Sequence, residues 1–478
     1  MNVPGPLFIV AALLILAGGL QVFRRWTWLM AWVAISASAA MAALVAFVPL
    51  DETLVLGPIS VQLGEPLTLL GRVVIIEPVD RLPLMFIGMT TAGLFLVAWR
   101  LLPHSNFFPA GLAIVALLAA ALMVQQVVYA ALLVEMAAIL TIFPLHEPIV
   151  GLDGVQYGGR AKGGLQYLVY ATMALPGLMI TQLLLEQFAV FPSDVSLLRT
   201  ATLLLSLSLA VLLGAVPFQS WLSTVATDGS PPVVTFLFTV NLGTVWFLLL
   251  AYLESYTWLS EQAAFGSVFT TVGLIMMVAG GGLAASQKRL GRIVGYATLV
   301  DNGAMFVALG TGRMTGLSLT IMMLIARPLA LGLMTLGLDG LRRLGRGEDQ
   351  ADVLVGAAWR MPWRSLAFMM GGVAMAGFPL SLGFAARWGL YRLMAEASGF
   401  QAVLALLGSA GVMMGLVSAM RSLLRAPDSK PAAPTPEDPV VLALILLLIG
   451  GTLFLGIFPQ PVSQVALQMA QGFTFFTQ

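Results

Sequence analysis

The tightest constraint on this chain is a recurring one. Stretches of about 20 mostly apolar residues, the length a helix needs to cross a bilayer, run from one end to the other. Fourteen can be read: 6–23, 28–49, 82–102, 108–124, 126–144, 164–185, 198–218, 232–253, 264–285, 292–310, 315–338, 364–390, 399–420 and 438–458. The run 107–144 is too long for one crossing and divides at Gln125-Gln126, while 364–390 is interrupted by Pro379 and Gly383. Only 9% of the residues are charged, against about 25% in soluble domains, and 59% are hydrophobic. No water-soluble fold could cover so much apolar surface. The expected fold class is an all-α integral membrane protein of about 14 transmembrane helices.

Lys and Arg near the helix ends set the expected orientation. With the N-terminus outside, sixteen basic residues fall in inner segments, among them Arg24, Arg25, Arg100, Arg160, Lys162, Lys288 and Lys430. Five fall outside: Arg72, Arg81, Arg199, Arg313 and Arg392. The first apolar stretch ends at Arg24-Arg25 without a small-residue cleavage pattern, so it reads as a retained helix. Residues 51–81 alternate apolar and polar side chains and suggest a small outer hairpin, and 426–437 read as a Pro-rich inner linker. Arg342, Arg343 and Arg346 read as inner-face anchors in reach of anionic lipid.

Several chemistries are excluded. The chain has no cysteine, so it forms no disulfide, uses no thiolate and ligates no iron–sulfur cluster. Its two histidines, His104 and His146, give no basis for a metal or haem site. No loop is large enough for a nucleotide-binding domain, and neither a phosphate-binding loop nor a dinucleotide fingerprint is present. A net charge of +1 points to no nucleic-acid partner. The expectation is no catalytic site, no metal and no cofactor on this chain. Any electron transfer would take place in other subunits.

Charge inside the bilayer costs about 2.5–3.5 kcal/mol per residue on the mildest scales. Four charges fall deep in the expected spans: Glu135, Asp301, Arg327 and Arg387. Such residues line a proton or ion path or pair with one another to hold helices together, and their types alone do not separate the two readings. Two spans also carry proline beside small residues, at Pro217 and at Pro379 with Gly383 close behind. Proline frees a backbone carbonyl, which membrane helices tolerate only where protein or a hydrated cavity satisfies it. The two breaks lie five spans apart, in the seventh and twelfth, and so do the two acids, in the fifth and tenth. An odd offset inverts the second set, which predicts two inverted five-helix repeats.

At these residues the chain resembles the antiporter-like membrane subunits of respiratory complex I (NADH:quinone oxidoreductase) and of the Mrp-type Na+/H+ antiporters. GAVPFQSWLSTVATDGSPPVVTFLF, residues 214–238, is similar to the family's Pro-Phe-His-x-Trp-Leu-Pro segment and the Pro-x-Pro-Val-Ser-Ala after it. QKRLGRIVGYATLVDNG, 287–303, resembles its Lys-Arg-Leu-Leu-Ala-Tyr-Ser-Ser stretch, and GFPLSLGFAARW, 377–388, its Gly-x-Pro-x-x-x-Gly-Phe-x-x-Lys. Glu135 falls at the family's helix-5 glutamate. The resemblance covers about 75–425 and implies fourteen helices with inverted repeats of helices 4–8 and 9–13. It implies an organisation of 1–106 (helices 1–3 with the hairpin 51–81), 107–253 and 262–425 (the repeats), and 426–478 (linker and helix 14).

The implied role is a membrane-arm subunit of a complex I-like or Mrp-like assembly, translocating protons or exchanging Na+ for H+. Its partners would be the bilayer and other membrane subunits, in a bacterial-type inner (plasma) membrane. The candidate proton path is Glu135, Asp301, Arg327, Arg387 and Asn241. This sequence departs from the family at its charged positions. Leu212 stands where helix 7 carries a lysine, Phe238 and Gly243 stand near the helix-8 base with Asn241 the one strongly polar neighbour, and Arg387 replaces the helix-12 lysine. Lysine can shed its proton when desolvated and arginine cannot. Glu135 is therefore expected to be protonated or to pair with a base from another helix. The departures leave open a non-pumping scaffold paralogue, and an unrelated solitary transporter is the third reading. The chain ends about twenty residues after the last span, so the long lateral helix of the largest family member is not expected.

Overall fold

The computed structural model describes residues 2–23, 25–56, 59–69, 72–102, 105–157, 161–260, 264–426 and 434–476. Arg24, His104, Arg160, Lys430 and most of the Pro-rich linker lie outside them. Seventeen helices are used below: α1 Gly5–Val22, α2 Thr27–Phe47, α3 Arg81–Leu101, α4 Phe107–Met123, α5 Val127–Leu145, α6 Lys162–Val190, α7 Val195–Leu212, α8 Ser220–Asp228, α9 Pro231–Ser255, α10 Phe265–Ala285, α11 Leu290–Gly310, α12 Met314–Leu344, α13 Pro362–Met375, α14 Leu382–Ala397, α15 Gly399–Leu424, α16 Pro439–Ile457 and α17 Gln460–Gln471. Among the described residues, twelve helices are long and apolar enough to cross a membrane. Two of the expected crossings take other forms. The stretch 108–124 is α4, with 17 residues, and 364–390 is two helices, α13 and α14, rather than one.

The chain packs as two compact units. The first comprises Met1–Pro144, Tyr167–Leu213 and Phe236–Ser255. Here α2 and α3 lie so close that a Cβ on Gly88 would come within 2.9 Å of the Ser38 carbonyl. Arg81 donates to the carbonyls of Val45, Ala46 and Val48 at 2.9–3.1 Å. Those carbonyls end α2 without intrahelical partners, and a cation there also suits the helix dipole. Phe95, Phe107, Phe108 and Phe236 pack as one aromatic cluster. Strands β1 Asn2–Pro4, β2 Thr53–Leu56 and β3 Ile59–Gln62 form a small sheet in which β3 pairs antiparallel with β2 and parallel with β1.

The second unit comprises Leu145–Gln166, Gly214–Thr235 and Tyr256–Gln478. Its centre is α11 and α12, whose most apolar windows are 94% and 83% buried, against 17% for α16. Glycines let α10, α11 and α15 approach closely: a Cβ on Gly281 would collide with the Gly408 carbonyl, and one on Gly303 would meet the Gly273 carbonyl at 2.7 Å. In the triplet Gly280–Gly282, the third glycine has open space beside it, so only the first two serve packing.

Helix α12 runs to Leu344, six residues beyond the expected end of its span. That extension corrects the reading of Arg342 as a lipid-facing anchor. Arg342 is 1% exposed and donates to the carbonyls of Ala226, Thr227 and Gly229 at 2.7–3.0 Å, where α8 ends. It also pairs with Asp349 at 2.7 Å. The open carbonyls of a helix terminus and a buried carboxylate hold it in the protein, which lipid phosphate could not match.

Candidate functional site

The second unit brings three of the sequence-predicted residues together. Asp301 on α11 accepts from Arg327 on α12 at 2.8 Å through one oxygen, and from Arg387 on α14 at 3.0 Å through the other. All three are buried, at 6%, 2% and 1% exposure. Arg327 also donates to Asn302 Oδ1 at 2.6 Å, and Arg387 Nη1 lies 3.5 Å from Ser409 Oγ, which accepts from the Tyr391 hydroxyl at 2.6 Å. One carboxylate thus serves two guanidinium groups, and with all three ionised the triad carries a net charge of +1. The groups border a cavity of about 10 Å³ that includes Gly383 and Ala374 in its wall, close to the smallest volume that admits one water, about 10–15 Å³.

The chain break before α14 creates this geometry. Helix α13 ends at Met375, and α14 begins at Leu382 with the Ser381 hydroxyl accepting from the Phe384 N–H at 3.3 Å. Pro379 sits in the connection. Gly377 has φ +73°, and a Cβ there would collide with Cγ of Arg387. Glycine is therefore required twice, by the left-handed backbone and by the passing arginine. Pro217 lies in the connection between α7 and α8, where Gly214 has φ +66°.

Glu135 and Asn241 belong to the first unit and have partners of another kind. Glu135 Oε1 accepts from the Thr172 hydroxyl at 2.6 Å, and its buried Oε2 has no hydrogen-bond partner among the described residues. The sequence led to an expectation of protonation or a basic partner. The partner found is a neutral hydroxyl. Asn241 sits in a π-type turn of α9 and donates to Thr141 Oγ1 at 3.1 Å and, at 3.5 Å, to the Tyr167 hydroxyl. Its Oδ1 is buried without a hydrogen-bond partner among the described residues. Such turns often occur at functional positions. Leu212 is buried at the last residue of α7, and the space a side chain at Gly243 would enter is bounded by Phe86, 3.2 Å away.

Sequence reasoning missed three groups. Thr172, Tyr167 and Ser409 are hydroxyls, which are too common in membrane helices to stand out. Asp339 is 1% exposed, pairs with Arg343 at 2.8 Å and lies 3.7 Å from Arg364. Its signal was present in the i,i+4 spacing of Asp339 and Arg343, had the helix been extended past 338. The Arg342–Asp349 pair, with Asp349 Oδ2 also accepting from the Gly291 N–H at 3.1 Å, is closed by backbone geometry that no local pattern announces. No cluster of metal-ligating side chains occurs among the described residues.

Residues 166–415 match the family described as NADH:quinone oxidoreductase/Mrp antiporter, TM. The chain is 27% identical over 326 residues to an NADH-quinone oxidoreductase subunit N from Gemmatimonas aurantiaca, covering 65% of this chain and 60% of that protein. It is 26% identical over 341 residues to the subunit of the same name from Methylococcus capsulatus, covering 66% and 68%. The fold matches a chain of the Mrp complex from a Dietzia species, with a TM-score of 0.78, 16% identity and coverage of 98% and 97%. It also matches a chain of respiratory complex I from Thermus thermophilus, with a TM-score of 0.72, 17% identity and coverage of 98% and 99%.

Proposed function

Because the chain belongs to the NADH:quinone oxidoreductase/Mrp antiporter transmembrane family, we propose that it is an antiporter-like subunit of a multisubunit membrane assembly and moves protons, or exchanges Na+ for H+, through its buried polar sites. The single observation that carries this reading is Asp301, a carboxylate held inside a membrane protein between two arginines beside a broken helix. An isolated ion pair would have answered the cost of burial. A second arginine over-compensates the carboxylate and leaves a standing positive charge next to the cavity.

Arginine keeps its proton throughout, so Arg327 and Arg387 pass none on themselves. Asp301 is the shared counter-charge of two buried arginines, so it can join a path only when those contacts loosen. The break between α13 and α14 supplies a place for that loosening. Glu135, with one oxygen unpartnered among the described residues, is the more open of the two acids. Its place at the family's helix-5 glutamate supports a role in the path.

The assembly is proposed to lie in a bacterial-type inner membrane with the N-terminus outside. The chain has no cysteine, so single introduced cysteines read this directly. Labelling of Asp51→Cys by an impermeant reagent only from the inner face would reverse the topology.

The functional test is mild purification of the native assembly, followed by proton flux after reconstitution. Co-purification with other membrane subunits and a several-fold loss of flux in Glu135→Gln are the expected results. Recovery of the chain alone would remove the subunit reading. An intact assembly whose flux ignores Glu135→Gln would favour a scaffold, the reading to which Leu212 and Arg387 lend support.

A further inference from the structure

Away from the buried charges, a groove of about 420 Å³ opens between the first turns of α12, the last turns of α14 and the helix α17. Arg392 and Glu396 line it from successive turns of α14, and Thr315 and Ser318 from α12. Leu319 and Leu467 supply part of a mainly apolar floor. Arg392 and Glu396 are exposed, and neither has a hydrogen bond or ion pair with any described residue. They stand four residues apart with the arginine first, the order in which an i,i+4 pair is weaker. Two opposite charges are thus presented side by side on one wall and remain unused by the fold.

The groove's level follows from its walls. Helix α12 begins at Met314, α14 ends at Ala397, and α17 follows within three residues of the end of α16 at Ile457. All are ends of membrane-spanning segments, where bilayer headgroups lie. Trp388, one turn before Arg392, is 54% exposed, as aromatic side chains at that level commonly are. Helix α17 is amphipathic, burying Val462, Ala466 and Met469 while Leu467 stays 43% exposed, the pattern of a helix lying in the interface.

We infer that this groove binds one phospholipid whose headgroup carries a primary ammonium, of the phosphatidylethanolamine class. The phosphate would lie against Arg392 and the hydroxyls of Thr315 and Ser318. The free N–H groups of the first turn of α12 add donors of the same sign. The ammonium would donate to Glu396, and the acyl chains would run over Leu319 and Leu467. Charge separates the lipid classes. An anionic headgroup without an ammonium gains Arg392 but meets the bare carboxylate of Glu396. A choline headgroup has no N–H to give that carboxylate.

The experiment uses the full chain in detergent, equilibrated with phosphatidylethanolamine, phosphatidylcholine or phosphatidylglycerol and read by native mass spectrometry. Retention of one phosphatidylethanolamine, about tenfold over phosphatidylcholine, is expected from one charge-assisted hydrogen bond. Glu396→Gln should collapse that preference to less than about twofold, and Arg392→Gln should weaken retention of every phospholipid by about tenfold or more. Both side chains are exposed, so neither variant disturbs packing. Soluble phosphoethanolamine, added at millimolar concentration, should fail to displace the lipid. Displacement by it would assign the groove to a soluble phosphoester. Equal retention of the three lipids, or retention unchanged in both variants, would overturn the proposal.

Discussion

Glu135 in the first unit and Asp301 in the second are each one carboxylate on a membrane helix, and the fold treats them in opposite ways. Glu135 receives one hydroxyl and keeps one buried oxygen without a hydrogen-bond partner among the described residues. Asp301 receives a guanidinium on each oxygen and is enclosed. A carboxylate with a neutral partner can lose its charge without stranding a cation. A carboxylate shared by two arginines can lose its charge only when those contacts loosen, because both cations would otherwise be stranded. Tethering of buried cations therefore falls to Asp301, and Glu135 is free of it.

The largest effect that would test this division is the loss of Asp301. Asp301→Ala leaves Arg327 and Arg387 buried without their counter-charge. Breaking a buried pair in this way costs about 3–5 kcal/mol. Thermal unfolding in detergent should show a strongly lowered midpoint, and much of the chain should fail to accumulate. Arg387→Met alone should be milder than Asp301→Ala, since Asp301 would keep Arg327. A loss below about 1 kcal/mol for Asp301→Ala, the scale of an exposed pair, would mean that the triad is hydrated and exchangeable.

The next effect concerns the backbone that delivers Arg387. Gly377→Ala places a Cβ on a backbone at φ +73° and against the Arg387 side chain. The strained conformation alone costs about 1–3 kcal/mol. Stability should fall by that amount, and the displaced Arg387 should lower any flux that depends on the second unit while leaving the Glu135 surroundings unchanged. A variant as stable as the parent would show that the connection between α13 and α14 relaxes freely, making the break a hinge rather than a clamp.

What could be foreseen from the residues follows the same division. The apolar lengths place nearly every helix, because a bilayer sets one ruler for all of them. The cost of charge in lipid singles out Glu135, Asp301, Arg327 and Arg387 without any coordinates. Their pairing is not legible: Asp301 meets partners 26 and 86 residues away, and nothing local encodes which acid takes which base. The polar end of α12 misled for a related reason. Asp339, Arg342 and Arg343 look like a loop in composition, yet they are helical: Arg342 is held by carbonyls and an acid from elsewhere in the second unit, and Asp339 pairs with Arg343 one turn on. Hydroxyls such as Thr172 carry no signal until a carboxylate is seen beside them.

The smallest effect is the sharpest for the comparison. Glu135→Gln keeps an oxygen for the Thr172 hydroxyl and replaces an unpartnered oxygen with an amide nitrogen of nearly the same size. No cation is left stranded, because Glu135 has no ionic partner among the described residues. A single neutral hydrogen bond is worth about 0.5–1.5 kcal/mol and is retained here, so unfolding should shift by less than about 1 kcal/mol. Measured beside Asp301→Ala under the same conditions, the two midpoints should differ widely, while proton flux falls in Glu135→Gln despite its stability. If Glu135→Gln unfolds as readily as Asp301→Ala, Glu135 is tethering a charge after all, and the two acids do the same work.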